Sequence, residues 1–170
     1  GSFRLEHLLK YVVCEFDIVI CGVHHLSNKY KMQHLLPAPV AAAYFHEQEM
    51  CKFETYPDIT VVASHEGQVE RATLFRSFLS ALSGRPIELA VLSRNKLNPA
   101  ERKYGAPTLV GTVEGRKCIL VDDICNTGNT LISNVHALEK EGAESIYAWA
   151  AHGVFGSTPE TPARIQTLDG

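Results

Sequence analysis

Short apolar blocks of strand length alternate with amphipathic stretches along most of this chain. The apolar blocks, rich in β-branched residues, cover residues 17–21, 59–64, 87–92, 117–122 and 145–151. Stretches with the apolar spacing of helices cover residues 5–13, 37–49, 68–82 and 130–140, the last closed by Gly142. This alternation is typical of α/β proteins, in which helices cover both faces of a mainly parallel sheet. The sequence therefore predicts an α/β domain with a five-stranded, mainly parallel sheet.

The remaining segments lack either periodicity. Residues 24–36 and 93–109 are predicted to be loops, the second because it mixes charged residues with Asn, Pro and Gly. Residues 157–170 are rich in Pro, Ser and Thr and are predicted to form a C-terminal tail. The domain itself is expected to cover residues 3–156.

Composition excludes several classes of function. With 16 Lys and Arg against 19 Asp and Glu and a net charge of -3, the chain has no overall basic field, which argues against a nucleic-acid partner. No apolar run reaches the roughly 18 residues that a membrane helix needs. The five cysteines show no CxxC pair or zinc spacing, and no secretion signal precedes them, so reduced thiols and a cytoplasmic location are expected.

The stretch that indicates chemistry is CILVDDICNTGNTL, residues 118–131. A buried strand ends in Asp122 and Asp123 and is followed by a turn that opens a helix. Unpaired N–H groups at a helix start attract phosphate, Gly128 allows close backbone approach, and Thr127 and Thr130 add hydroxyl donors. The acids can accept hydrogen bonds from sugar hydroxyls or meet a hydrated divalent cation. Two acids and such a turn can also merely cap a helix, but the flanking strand and helix favour a binding site.

The segment VDDICNTGNT, residues 121–130, resembles the ribose-5-phosphate loop of the type I phosphoribosyltransferase fold. Three flanking segments, residues 61–75, 111–122 and 143–154, resemble one branch of that fold, the ribose-phosphate pyrophosphokinases or PRPP synthetases. The resemblance runs from about residue 8 to residue 154. It implies a phosphoribosyltransferase-like fold.

The resemblance also implies an activity: transfer of a diphosphoryl group from Mg-ATP to the 1-hydroxyl of ribose 5-phosphate, giving PRPP and AMP for nucleotide biosynthesis. Mg²⁺ is the implied cofactor, ATP and ribose 5-phosphate are the implied partners, and a homo-oligomer is the implied assembly. The residues matching the sugar-phosphate loop are Asp122, Asp123, Asn126, Thr127, Gly128, Asn129 and Thr130.

Four further residues receive roles through the resemblance. Arg94 and Lys96 match the basic catalytic loop, where positive charge stabilises the transferred phosphoryl oxygens. His25 matches a histidine that approaches the ATP phosphates and the metal, and Glu66 lies where an acid near the metal is expected. The alternatives are ordinary solvated charges for Arg94 and Lys96, and a surface histidine for His25.

Members of this branch consist of two similar α/β halves, and the chain resembles the second. The opening Gly1-Ser2 is typical of a cloning remnant. Two alternatives follow: the chain is the C-terminal, ribose-5-phosphate-binding domain of a two-half enzyme, or the natural protein is itself short. In either case the chain alone is expected to be inactive or nearly so.

Several positions depart from the family pattern. Asn126 replaces Asp, Asn129 replaces Gly, Arg94 replaces Lys and Val23 replaces an acid, while His65 and a shortened turn precede Glu66. These changes leave two alternatives open. One is a PRPP-synthetase-associated regulatory subunit with impaired turnover, and the other is a phosphoribosyltransferase that shares the loop.

Overall fold

A computed structural model of the chain describes residues 36–94, 96–98, 103–104, 106–155, 160 and 165. The predicted helix over residues 5–13 and the predicted strand over residues 17–21 lie outside this part. So does the predicted loop over residues 24–36, apart from its last residue. Within the described part, no helix is both long and apolar enough to cross a membrane.

Seven strands and three α-helices form the described part. The strands are β1 Ile59–Ala63, β2 Glu88–Ser93, β3 Lys96–Asn98, β4 Lys103–Tyr104, β5 Thr108–Val110, β6 Lys117–Cys125 and β7 Ser145–Gly153. The helices are α1 Ala38–Tyr44, α2 Val69–Ser83 and α3 Asn129–Lys140. A π-helical turn, Phe45–Glu49, and a 3₁₀ turn, Met50–Lys52, extend α1. The helix predicted over residues 37–49 is therefore confirmed, with its second half π-helical.

The main sheet has five strands in the order β5-β2-β1-β6-β7. Strand β1 pairs in parallel with both β2 and β6, and β6 pairs in parallel with β7. Chain connections run outward from the centre, from β1 through α2 to β2 and from β6 through α3 to β7. The boundary between β1 and β6 is thus a point where the strand order reverses, which is where open α/β sheets bind ligands.

The predicted five-stranded, mainly parallel sheet is confirmed, although its fifth described strand is not the one expected. That strand is β5, which pairs antiparallel with β2 inside the predicted loop over residues 93–109. The same segment contains the antiparallel β3–β4 hairpin. The loop prediction was wrong here because these strands have only two or three residues. In β5 only Leu109 is partly buried, which gives no periodic apolar signal.

Alternating side chains of the central strands pack into two separate hydrophobic cores, one on each face of the sheet. Val61, Ile119 and Trp149 pack with α1 and α2 on one face. Val62 and Leu120 pack with α3 on the other. On the α2 face, aromatic rings form a continuous contact: the centroids of Phe75 and Trp149 lie 5.3 Å apart, and those of Phe45 and Phe75 lie 5.7 Å apart.

Glycines end both long helices. Gly84 follows α2 with a φ of 66°, and its N–H donates to Ser80 O at 2.9 Å. Gly142 follows α3 with a φ of 83°, as the sequence predicts, and its N–H donates to Glu139 O at 3.0 Å. Both helices therefore stop where the chain must turn back to the sheet.

Candidate functional site

Three strand ends meet at the carboxyl edge of the sheet. Strand β1 leads into residues 64–68, β2 leads into Arg94, and the last residues of β6 lead into the turn before α3. The residue after β1 stays paired with β6, because Ser64 N–H donates to Val121 O at 3.1 Å. Since these strands are neighbours and parallel, polar side chains far apart in sequence lie at one edge.

The two acids lie inside β6, not at its end as predicted, because pairing with β7 continues to Cys125 and Gly153. Each carboxylate accepts a hydrogen bond from the next backbone amide. Asp122 Oδ1 is 2.9 Å from Asp123 N, and Asp123 Oδ1 is 2.7 Å from Ile124 N. These bonds fix both carboxyl groups on the strand.

The acids differ in their electrostatics. Burial raises the pKa of Asp122, and the adjacent Asp123 carboxyl raises it further. Burial also acts to raise the pKa of Asp123, but hydrogen bonds from Asp122, Gln68 and the Ile124 amide outweigh it and leave that pKa lowered. Asp123 is therefore the acid that carries negative charge first as pH rises, and Asp122 holds its proton longer.

The turn after β6 forms a cradle, residues 126–130, at the start of α3. Gly128, the residue before the helix, has a φ of 75° in the left-handed region. Ile132 N–H donates to Gly128 O at 2.9 Å, so the N–H groups of Thr130 and Leu131 precede the first intrahelical donor. Asn129 N–H donates to the Thr127 hydroxyl oxygen at 3.5 Å. Backbone donors thus point out of the helix start, as the sequence predicts.

A cavity of about 120 Å³ lies beside the cradle. Among its lining residues are most of the predicted sugar-phosphate ligands: Asp122, Asn126, Thr127, Gly128 and Thr130. Its floor is apolar, formed by Leu120, Ala148, Trp149, Ala150 and Ile165. Asp123 and Asn129, the other two predicted ligands, belong to the same strand and turn but do not line this cavity. The structure therefore brings five of the seven residues around one space.

His65 joins the acids, a placement that the sequence analysis missed. One ligand-type atom from each of His65, Asp122 and Asp123 lies within 4.8 Å of the other two. His65 Nδ1 accepts a hydrogen bond from Gly67 N–H at 3.1 Å, and His65 Nε2 lies 3.5 Å from Gln68 Nε2 and 4.0 Å from Asp122 Oδ1. The imidazole therefore lies beside the acids, whose carboxylate oxygens are ligands of the kind that suits Mg²⁺. A histidine directly after a buried strand was the available signal.

Glu66 has a different neighbour. Its carboxylate accepts a hydrogen bond from the Ser93 hydroxyl, which lowers the pKa of Glu66. Glu66 is not among the three residues whose ligand atoms cluster. The structure therefore places the carboxylate of this predicted metal ligand in contact with Ser93, the last residue of β2.

Of the two predicted catalytic cations, Arg94 is described in full. Its Nη2 donates to Asn134 Oδ1 at 2.7 Å and lies 3.4 Å from Thr130 O, so the guanidinium lies against the first turns of α3. The backbone of Lys96 belongs to β3, but its side chain lies outside the described part. His25 also lies outside the described residues.

Three cysteines in the described part are free: Cys51, Cys118 and Cys125. Burial raises the pKa of Cys118 to about 12 and also raises that of Cys125, the last residue of β6. Both thiols are therefore protonated at neutral pH, and Cys125 serves as a small packed side chain beside the cradle.

The sequence matches the family of phosphoribosyl transferase domains over residues 45–161. Among curated relatives, the ribose-phosphate pyrophosphokinase of Caldanaerobacter subterraneus subsp. tengcongensis is 38% identical over 124 residues, which is 73% of this chain and 35% of the relative. The ribose-phosphate pyrophosphokinase of Prochlorococcus marinus subsp. pastoris is 35% identical over 80% of this chain and 37% of the relative. The chain thus spans about a third of the length of these relatives.

Solved structures agree on the fold. The phosphoribosylpyrophosphate synthetase of Mycobacterium smegmatis superposes with a TM-score of 0.59 and 26% identity, over 78% of this chain and 38% of that one. A hypoxanthine phosphoribosyltransferase of Trypanosoma cruzi superposes with a TM-score of 0.52 and 12% identity, over 68% of this chain and 70% of that one. The second likeness concerns the fold alone.

Proposed function

Because the chain belongs to the family of phosphoribosyl transferase domains, we propose that it is the ribose-5-phosphate-binding domain of a ribose-phosphate diphosphokinase. The observation that carries the proposal is the position of two groups of residues. Asp122 and Asp123 lie next to the start of α3, at the point in the sheet where the strand order reverses. The flanking segments and the pyrophosphokinase relatives favour this branch over other users of the same turn.

In this proposal the cradle binds the 5-phosphate. The dianion is stabilised by backbone N–H groups at the start of α3 and by the positive end of the helix dipole. Thr127 and Thr130 add hydroxyl donors, and Asn126 and Asn129 add amide groups. The left-handed Gly128 lets the backbone approach the phosphate without a β-carbon in the way.

Asp122 and Asp123 bind the ribose hydroxyls and Mg²⁺. Carboxylate oxygens suit this hard cation, and both groups are already fixed by backbone hydrogen bonds. When bound, Mg²⁺ would offset negative charge on the phosphoryl oxygens of ATP. His65 would lie beside this site, with Nε2 4.0 Å from Asp122 Oδ1.

In the reaction, the 1-hydroxyl oxygen of ribose 5-phosphate attacks the β-phosphorus of ATP. A new C1–O–P link forms, the bond between the β-phosphorus and the bridging oxygen to the α-phosphate breaks, AMP leaves, and the hydroxyl proton is lost. Arg94 and Lys96 stabilise the negative charge on the transferred group, and His25 approaches the ATP phosphates.

We propose that the protein works as a homo-oligomer in the cytoplasm, without a nucleic-acid partner.

The test is isothermal calorimetry of the chain with ribose 5-phosphate and Mg²⁺. We expect binding by the unchanged chain and at least tenfold weaker binding by the Asp123→Ala variant, since the ionised acid would be lost. Asp58→Ala is the matched control, because it removes an exposed carboxylate next to the amino end of β1, at the opposite edge of the sheet. Equal heats for the unchanged chain and Asp123→Ala would overturn the proposed site.

A second assay separates the activity from its alternatives. A diphosphokinase containing this domain should release AMP and form PRPP from Mg-ATP and ribose 5-phosphate. Consumption of PRPP with a free base would instead establish a phosphoribosyltransferase. Tight sugar binding without AMP release in the full-length protein would establish a regulatory subunit.

A further inference from the structure

Asn134 is a polar residue in the middle of α3 with no exposed surface. A buried amide is costly unless both its donor and its acceptor are satisfied. Here both are: Nδ2 donates to Ser64 O at 3.0 Å, and Oδ1 accepts from Arg94 Nη2 at 2.7 Å. The apolar spacing of the predicted helix over residues 130–140 gave no indication of a role for Asn134.

These bonds connect β6, the residue after β1, α3 and the residue after β2 at the site edge. Val121 O in β6 accepts from Ser64 N–H, Ser64 O accepts from the Asn134 amide, and the Asn134 oxygen accepts from Arg94. The series runs from the strand that carries the acid pair to the cation that follows β2. Arg94 is thereby held by a side chain whose own position is set by the sheet.

The amide of Asn134 is suited to holding the Arg94 guanidinium while that group interacts with a phosphate. A neutral amide oxygen orients the guanidinium without cancelling its charge, whereas a carboxylate would compete with phosphate for it. Arginine carries five N–H donors in a planar fork, and both bonds described here, to Asn134 Oδ1 and to Thr130 O, are made by Nη2. A lysine ammonium at position 94 could not keep this geometry.

We propose that Asn134 is a positioning residue, which fixes Arg94 against α3 so that its charge meets the diphosphoryl group at the sugar 1-position. The inference rests on the proposed function, since it takes Arg94 to contact that group. Free arginine side chains lose rotamer freedom on binding a ligand, and Asn134 removes part of that loss before the ligand arrives. Loss of Asn134 should therefore weaken interactions made through Arg94 and spare those made by the cradle.

The experiment compares PRPP with ribose 5-phosphate as ligands of the chain, by calorimetry with Mg²⁺. The two ligands share the 5-phosphate and ribose, and only PRPP carries the 1-diphosphate. We expect Asn134→Ala to lower PRPP affinity by about two- to tenfold and to leave ribose 5-phosphate affinity unchanged. Arg94→Met, which keeps an apolar stem without donors, should lower PRPP affinity at least as much.

The double variant decides whether Asn134 acts through Arg94. If it does, adding Asn134→Ala to Arg94→Met causes no further loss of PRPP affinity. If the two losses multiply, or if Asn134→Ala weakens both ligands equally, the residue is merely structural and the inference is overturned. Urea unfolding of each variant measures stability separately from affinity.

Arg94→Lys provides a test that does not disturb the buried amide. The charge stays but the planar fork is lost, so we expect PRPP affinity to fall toward that of Arg94→Met. Affinity equal to that of the unchanged chain would overturn the inference.

The experiments also separate the inference from the proposed function. If the unchanged chain does not bind ribose 5-phosphate, both are overturned. If it binds ribose 5-phosphate but Asn134→Ala leaves PRPP affinity unaltered, only the inference is overturned.

Discussion

Two adjacent carboxyl groups inside β6 have opposite pKa shifts although they lie next to each other on one strand. Asp122 lies deeper, with 16% of its side chain exposed, and burial disfavours its charged form. Asp123 receives hydrogen bonds that favour its charged form over the burial that opposes it. A binding site gains from this difference, because Asp123 ionises at a lower pH than Asp122, so the pair does not gain both negative charges at once as pH rises.

We predict that Asp122→Asn stabilises the metal-free chain at neutral pH. The folded-state pKa of Asp122 is raised, so its contribution to stability is present below the unfolded pKa of about 3.9 and is lost as pH rises through the folded pKa. The amide removes this loss and keeps an acceptor for the Asp123 amide. Urea unfolding in a chelating buffer should therefore give a higher free energy of unfolding than the unchanged chain at pH 7 and an equal one near pH 3. A lower value at pH 7 would contradict the prediction.

Residues on one continuous segment were within reach of sequence reasoning, because strand, acids, glycine and threonines follow one another from 118 to 131. His65 and Asn134 were not. His65 reaches Asp122 only because β1 and β6 are neighbours. The role of Asn134 depends on a bond to Arg94, forty positions away. Such pairings depend on strand order, which hydrophobic periodicity does not specify.

At the scale of elements, α3 performs two tasks with opposite ends of its length. Its first turn presents the N–H groups of Thr130 and Leu131, which precede the first intrahelical donor, beside the acids. Further along, Val135 and Leu138 are fully buried against the sheet. The apolar contacts anchor the helix, so that its polar start stays in place when an anion binds.

We predict that Gly128→Ala weakens ribose 5-phosphate binding beyond its effect on stability. A β-carbon at a φ of 75° costs about 1–2 kcal/mol and shifts the turn that forms the cradle. Gly84→Ala is the matched control: it adds the same strain at a φ of 66° after α2, with nothing within 4 Å of the new β-carbon. Both variants should lose similar stability in urea, and only Gly128→Ala should lose affinity in calorimetry. Equal affinities in the two variants would contradict the prediction.

The long elements were predictable to within one or two residues at most ends, because each presents an apolar face to a core. Helix α2 was predicted over residues 68–82 and covers Val69–Ser83. The segment between β2 and β6 was not predictable, since its short strands form through backbone pairing with a neighbour. Backbone hydrogen bonds of this kind need a partner strand and have no sequence pattern of their own.

At the scale of the whole molecule, one sheet separates two cores that have different side chains but the same strands. Trp149, the single tryptophan of the chain, is buried on the α2 face, and Leu138 is buried on the α3 face. Because the central strands contribute to both cores, loss of packing on one face weakens the support of the other.

We predict that Leu138→Ala lowers the free energy of unfolding by about 2–5 kcal/mol, and that Trp149 fluorescence reports the whole loss. The urea midpoints from fluorescence and from far-ultraviolet circular dichroism should shift together. Phe75→Ala, on the tryptophan side, is the companion variant and should cost about 3–5 kcal/mol. A fluorescence midpoint that stays fixed in Leu138→Ala while the dichroism midpoint falls would show that the faces unfold independently.

In the described sheet, β5 is a border strand of three residues that runs antiparallel to its neighbour β2. A border strand this short offers a second polypeptide few free N–H and C=O groups with which to extend the sheet. Growth into fibrils or strand-exchanged assemblies is thus discouraged on that side. The protein obtains this protection from a segment that contributes little to either interior.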